Sequence, residues 1–216
     1  LSFDHRVGQH FGEHFGKLAT SCDTDLDHYR KLKKLDEGMN VSTAKFREET
    51  RVWIEENCPA GARGTGQIPF GSRQVELEAD SALWLERMAE KGWTVPTWPK
   101  EYGGAGLERE HYDVLIDELK KAGARTPLTG RGVNYIGPTI LEFGTDAQKQ
   151  KWLPICARGE GAWAMGYSEP GAGSDLASLN TRAVRDGDRY LLNGSKMWTS
   201  DATLCDYIFV LVRTSP

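Results

Sequence analysis

Apolar positions recur at helical spacing from about residue 42 to 153 and change to alternation after Gly161. In the run AKFREETRVWIEEN, Phe46, Val52, Trp53 and Ile54 share one face. This predicts a helix capped at Ser42–Thr43 that stops near Cys58–Pro59. A second helix is predicted over 75–91, with Leu77, Leu83, Trp84, Leu85 and Met88 as its apolar residues. A third, over 108–124, turns Tyr112, Leu115, Ile116 and Leu119 inward. Two shorter helices follow over 133–143 and 146–153, the latter capped by Thr145 and stopped by Pro154. Glycines and prolines break the pattern in GARGTGQIPFGSR (61–73) and GWTVPTWPKEYGGAGL (92–107), which read as loops.

Beyond Gly161, Trp163, Met165 and Tyr167 alternate with smaller residues, as a strand requires. NTRAVRDGDRYLLNGSKMW reads as three strands joined by tight turns at Asp186–Gly187 and Asn193–Gly194, and Tyr207–Val212 as a fourth strand. Helices first and antiparallel strands second define an α+β chain with its boundary near 158–161. The expected division is a polar arm over 1–41 without a firm helical period, a helical domain over 42–160, and the start of a β-domain over 161–216.

Composition narrows the class. The chain has 216 residues, 39% of them hydrophobic and 27% charged, the balance of a globular protein with a real core. A net charge of −4 with mixed signs offers no basic stripe for nucleic acid and no polybasic membrane patch. No apolar run reaches the roughly 20 residues of a spanning helix. The N-terminal residues lack the apolar core of a secretory signal. Cys22, Cys58, Cys156 and Cys205 are dispersed without a CxxC pair, which points to a reducing compartment rather than to disulfides or zinc.

The candidate chemistry concentrates in WAMGYSEPGAGSD (163–175). Gly166-Tyr-Ser168-Glu-Pro170 nearly matches a nucleophile elbow, but Pro170 stands where the second glycine is needed and no histidine follows His111. Gly171-Ala-Gly173-Ser174 offers N–H groups to an anion, yet no P-loop lysine follows and the downstream sequence reads as strand. Gly64-Thr-Gly66 reads as a flexible loop. His10-Phe-Gly-Glu-His14 matches an inverted zinc-protease pattern, but its glycines oppose a helix and no third ligand is evident; solvated histidines are the better reading. A flat ligand fits best. Pro170 directs the chain, Gly171 and Gly173 permit close backbone approach, and Ser168 and Ser174 supply hydroxyls. Lys196-Met-Trp198-Thr-Ser200 adds an aromatic plane and two more hydroxyls. The competing reading makes Trp198 a core residue and the serines turn caps.

YSEPGAGSD together with NGSKMWTS resembles the signature regions of the acyl-CoA dehydrogenase family. KGWTVPTWPKEYGGAGL, GPTILEFGTDAQKQKWLP and ARGEGAWAMGYSEPGAGSD resemble it too, in the family's order, so the likeness covers about 43–216. It implies an N-terminal helical domain, a central antiparallel β-barrel-like domain of which this chain holds the first part, and a C-terminal four-helix bundle outside it. FAD and an acyl-CoA thioester are expected between them.

By the same resemblance, Met165, Tyr167 and Ser168 contact the flavin's pyrimidine side, and Gly173 and Ser174 line the pocket, with Ser174 also near the substrate's CoA portion. Trp198 packs against the isoalloxazine, and Thr199 and Ser200 lie near its reactive edge. Ser200 stands where threonine is usual and Asp201 where asparagine is common; an unpaired Asp201 would disfavour reduced flavin. Glu169 reads as structural, and the catalytic carboxylate is expected outside this chain, in the bundle. The implied reaction is FAD-dependent α,β-dehydrogenation of an acyl-CoA to the trans-2-enoyl-CoA, a β-oxidation step, with an electron-transfer flavoprotein or similar acceptor and a homo- or hetero-oligomeric assembly. The alternatives are a non-catalytic flavin- or acyl-CoA-binding subunit of a heteromeric dehydrogenase, or an acyl-CoA oxidase or flavin monooxygenase on the same fold. The expected location is cytoplasmic, with the mitochondrial matrix as alternative.

Overall fold

The computed structural model describes residues 42–65 and 75–214. The polar arm, the His10–His14 pattern and Gly66 lie outside them. Residues 46–216 form one compact unit. Its elements are α1 (42–57), α2 (Ala79–Glu90), α3 (Arg109–Lys121), α4 (Gly137–Phe143), α5 (Asp146–Arg158), then β1 (Trp163–Gly166), β2 (Arg182–Asp186), β3 (Arg189–Asn193) and β4 (Tyr207–Val210). The predicted order of helices before strands is what is found. Among the described residues, no helix is long and apolar enough to cross a membrane.

Two apolar clusters organise the unit. The first joins α1, α2 and α3 through Ile54, Trp84, Met88, Leu115 and Leu119, with Trp93 beneath. Trp53 packs edge-on against Trp93 at 4.8 Å between ring centroids, and the Lys91 ammonium lies 5.4 Å from the Trp53 ring. Trp84 is fully buried, and its indole N–H donates to the Arg125 carbonyl at 2.9 Å. Val52 and Leu83, expected on the inward faces, are more than a third exposed, because each sits at the shoulder of its stripe. The inward face of α3 instead includes Val114 and Glu118. The desolvation of buried Glu118 is offset by Arg47 and Lys121, which both reach its carboxylate, at 2.5 and 2.9 Å.

The second cluster carries the helices into the strands. Val95, Trp98, Ile136, Ile140, Leu153, Cys156, Ala157 and Trp163 are buried together. Trp152, Trp163 and Tyr207 form an aromatic triangle with centroids 4.8–5.4 Å apart, joining α5, β1 and β4. The loop 92–107 feeds this cluster with Trp98. Gly137 leaves room for that indole, since a Cβ there would stand 2.0 Å from a Trp98 ring carbon.

Three local expectations are corrected. Pro154 does not stop α5. The Thr145 capping box is present, but the helix runs on to Arg158 and ends at Gly159, which has a φ of +65°. Burial of Cys156 and Ala157 beyond the proline offsets the lost backbone bond. The helix predicted over 133–143 opens with a π-helical turn, Gly132–Ile136, before α4. Pro138 in the first turn of α4 lacks the N–H that would continue a regular α-helical ladder back to Asn134. In the strand region, only the Asp186–Gly187 turn makes a hairpin, between β2 and β3, and residues 195–198 are not a strand. The strands are not all antiparallel: β1 pairs with β4 in parallel, Trp163 opposite Tyr207 and Gly166 opposite Val210. A connection of some forty residues, carrying the hairpin, returns the chain to the same end of the sheet.

Candidate functional site

β1 delivers the chain into a tight turn. Glu169 and Ala172 exchange two backbone hydrogen bonds, 2.9 and 3.1 Å, so Pro170 and Gly171 form a two-residue loop. The Glu169 side chain folds back inside. Its carboxylate accepts from Lys196 Nζ at 2.8 Å, from the Thr181 N–H at 2.9 Å and from the Asn180 N–H at 2.6 Å. Foremost the Lys196 ammonium, and then the Thr181 and Asn180 donors, hold its pKa down to about 2. Glu169 is therefore ionised at neutral pH and organises the turn, in line with its reading as structural.

Lys196 is the hinge pin of the site. Besides Glu169 it donates to the Tyr167 carbonyl at 3.0 Å, while the Met197 N–H donates to the Ser168 carbonyl at 2.9 Å. These bonds join YSEPGAGSD to NGSKMWTS across about thirty residues of sequence. The Tyr167 and Ser168 carbonyls are thereby held against Lys196 and Met197, the two residues before Trp198. Met165 is half-buried on β1 opposite Phe209, whose ring lies 6.4 Å from that of Tyr167.

Trp198 is 82% exposed, which removes the reading of it as a core residue. Its φ is +57°, and that of Asp201 is +58°; among the described residues these are the non-glycine positions in the left-handed region. They bracket Thr199 and Ser200, and the Ser200 N–H donates to the Trp198 carbonyl at 3.0 Å. Asp201 is not unpaired: Arg131 Nη1 and Nη2 both approach its Oδ2, at 3.1 and 3.2 Å. Gly173 and Ser174 stand exposed beyond the turn. Within this chain a Cβ at Gly171 or Gly173 finds nothing within 4 Å, so the space beside both positions is open. Lys196 lay inside a motif but carried no sign that it would reach two residues of the other. Arg131, seventy positions from its partner, carried no local signal at all.

The arrangement presents an uncovered indole face, hydroxyls from Thr199, Ser200 and Ser168, and open space beside two glycines. A planar heteroaromatic group with an apolar face and a polar edge fits this donor set. Among the described residues, no cluster of His, Cys, Asp and Glu is arranged to hold a metal.

A helical unit packed through aromatic residues onto a partial β-structure thus carries the candidate site on its strand loops. The sequence matches the acyl-CoA dehydrogenase N-terminal domain over residues 42–160 and the acyl-CoA dehydrogenase middle domain over 164–216. The chain belongs to the acyl-CoA dehydrogenase family.

It is 48% identical over 132 residues to the acyl-CoA dehydrogenase FadE26 of Mycobacterium tuberculosis, covering 61% of this chain and 32% of that protein. It is 38% identical over 170 residues to IpdE1 of the same organism, covering 79% and 44%. Among solved structures it is similar to the ChsE4–ChsE5 complex from M. tuberculosis, with a TM-score of 0.55 and 39% identity over 81% of this chain and 42% of that one. The chain thus spans less than half the length of these relatives.

Proposed function

We propose that this chain supplies the flavin-binding face of an acyl-CoA dehydrogenase, which oxidises an acyl-CoA thioester to the trans-2-enoyl-CoA. The observation that carries the reading is the joining of the two motif segments by Lys196 and Met197, which holds the Tyr167–Ser168 backbone against the segment that bears the exposed Trp198, Thr199 and Ser200. FAD, when bound, supplies the acceptor for the hydride leaving the β-carbon. In this reading Trp198 covers the ring face and residues 165–168 meet the pyrimidine edge. Thr199 and Ser200 address the reactive edge, Gly173 leaves space, and Ser174 faces the CoA portion of the substrate. Residues 42–160 and 161–216 then correspond to a helical domain and the beginning of a β-domain.

Glu169 does not remove the substrate's α-proton. A buried carboxylate with three donors and a pKa near 2 is too weak a base. Proton removal falls to a carboxylate elsewhere in the assembled enzyme. Electrons would pass on to an electron-transfer flavoprotein or similar acceptor. The bacterial relatives support a cytoplasmic setting.

The test uses the full-length protein that carries this chain. It is expected to retain flavin through chromatography and to lose flavin colour when acyl-CoA is added anaerobically. Absence of both, across acyl groups of differing length and shape, overturns the proposal. A second reading, a subunit active only beside a different chain, is favoured by the similarity to a complex of two differently named proteins. Turnover by a homogeneous preparation excludes it.

A further inference from the structure

We propose that Arg131 is a positioning residue for the reactive edge of the flavin, setting both the geometry of residues 198–201 and the local charge. The inference rests on the flavin reading above.

The tetrapeptide Trp198–Asp201 begins and ends in the left-handed region, with φ of +57° and +58°. A residue bearing a Cβ occupies that region only when its surroundings hold it there. At the first end the hold is the backbone bond from Met197 to Ser168, reinforced by the buried Lys196–Glu169 pair. At the second end it is Arg131, whose Nη1 and Nη2 lie 3.1 and 3.2 Å from Asp201 Oδ2.

Arg131 is well placed to act as a fixed post. It heads the π-helical turn Gly132–Ile136, and Gly132 lies so close to the Trp163 indole that a Cβ there would stand 2.9 Å from a ring carbon. Trp163 belongs to the second buried cluster and to β1, the strand that leads into Tyr167 and Ser168. Packing around Trp163 therefore lies behind both sides of the site. The Thr199 and Ser200 hydroxyls hang between two fixed ends.

The pair also sets the electrostatics. Asp201 alone would place a carboxylate beside an electron-accepting ring and disfavour its reduction. The Arg131 guanidinium, three-quarters buried, cancels that charge at contact distance. Removing either partner uncovers the other, so the two single variants shift the flavin in opposite directions.

The experiment measures flavin midpoint potential by dye equilibration in the full-length enzyme, with melting temperature as a folding control. Arg131→Gln is expected to lower the ratio of reduced to oxidised flavin at fixed potential by roughly three- to tenfold, the effect of one charge acting through a partly solvated medium. Asp201→Asn, which tolerates the left-handed backbone, is expected to raise it by a similar factor. The double variant should return to within about twofold of wild type, and Arg131→Lys should stay near wild type. If Arg131→Gln fails to fold, Asp201→Asn and Arg131→Lys still decide the matter. Flavin-loaded variants with unchanged potential, or single variants that shift the same way, overturn the role of Arg131 alone. A wild-type protein that binds no flavin overturns the flavin reading and this inference with it.

Discussion

Replacing Gly194 by alanine tests whether the backbone between the hairpin and Lys196 is held as tightly as the site requires. Gly194 has a φ of +155°, a region open essentially to glycine alone. A Cβ there would stand 2.4 Å from Thr181 Oγ1 and 2.6 Å from Thr181 Cα, and the latter, being backbone, cannot swing aside. Overpacking of this kind costs about 1–3 kcal/mol, and the strained backbone adds roughly 1–3 kcal/mol. The expected loss is about 3 kcal/mol after partial relaxation. It falls on the site, because Thr181 donates to Glu169 and Gly194 lies two residues before Lys196.

The matched control is Gly171→Ala, where a Cβ meets nothing within 4 Å and φ is not in the left-handed region. There the substitution should be neutral or should stabilise by about 0.4–1 kcal/mol through the unfolded chain. Urea unfolding of the full-length protein, followed by tryptophan fluorescence, reads both. With a urea slope of about 2 kcal/mol/M, Gly194→Ala should lower the midpoint by roughly 1.5 M. Flavin retention should fall with it. If the two variants unfold within about 0.5 kcal/mol of each other, close packing at Gly194 is not what holds the Lys196 segment in place.

Glu169→Gln should weaken the fold in a pH-dependent way. Because the carboxylate's pKa is depressed from 4.5 to about 2 in the folded protein, its contribution is present above the unfolded value and is lost as pH falls toward 2. The gap between wild type and variant should be constant from neutral pH to about 5 and should close as acid denaturation profiles approach pH 2; a constant gap throughout would refute the assignment. Leu153→Ala, at a fully buried position where α5 meets the strands, should cost about 2–5 kcal/mol in chemical denaturation. The Cys156 thiol, pushed up to about 12 mainly by burial, should resist alkylation at neutral pH until the protein unfolds, whereas half-buried Cys205 should react before it in a mass-spectrometric time course. Gly173→Ala should leave stability unchanged because its surroundings are open, while lowering flavin affinity; unchanged affinity would mean that the space is not the cofactor's.

Much of the site was legible because its information is local. The exposed aromatic residue, the hydroxyls near it in sequence and the glycine turn are contiguous stretches, and four separated motifs in order identified the family. The helices were legible for the same reason, since an apolar stripe is a property of a dozen neighbouring residues. Their ends were less so. Pro154 reads as a stop, but burial of Cys156 and Ala157 on Trp163 carries α5 through it, and no local rule weighs a distant tryptophan.

What only the tertiary structure decided is which of these local pieces touch. Alternation marks β1 and a short apolar run marks β4 as strands, but neither fixes direction, so their parallel pairing emerged only from the path of the intervening chain. Asp201 reads as a bare charge in its motif and is a paired one in the fold, because Arg131 arrives from seventy residues away, next to Gly132 where the chain packs on Trp163. Side-chain period and turn chemistry are written into neighbouring residues; charge pairing and strand register depend on chain ends brought together by burial, a free energy that no short window of sequence contains.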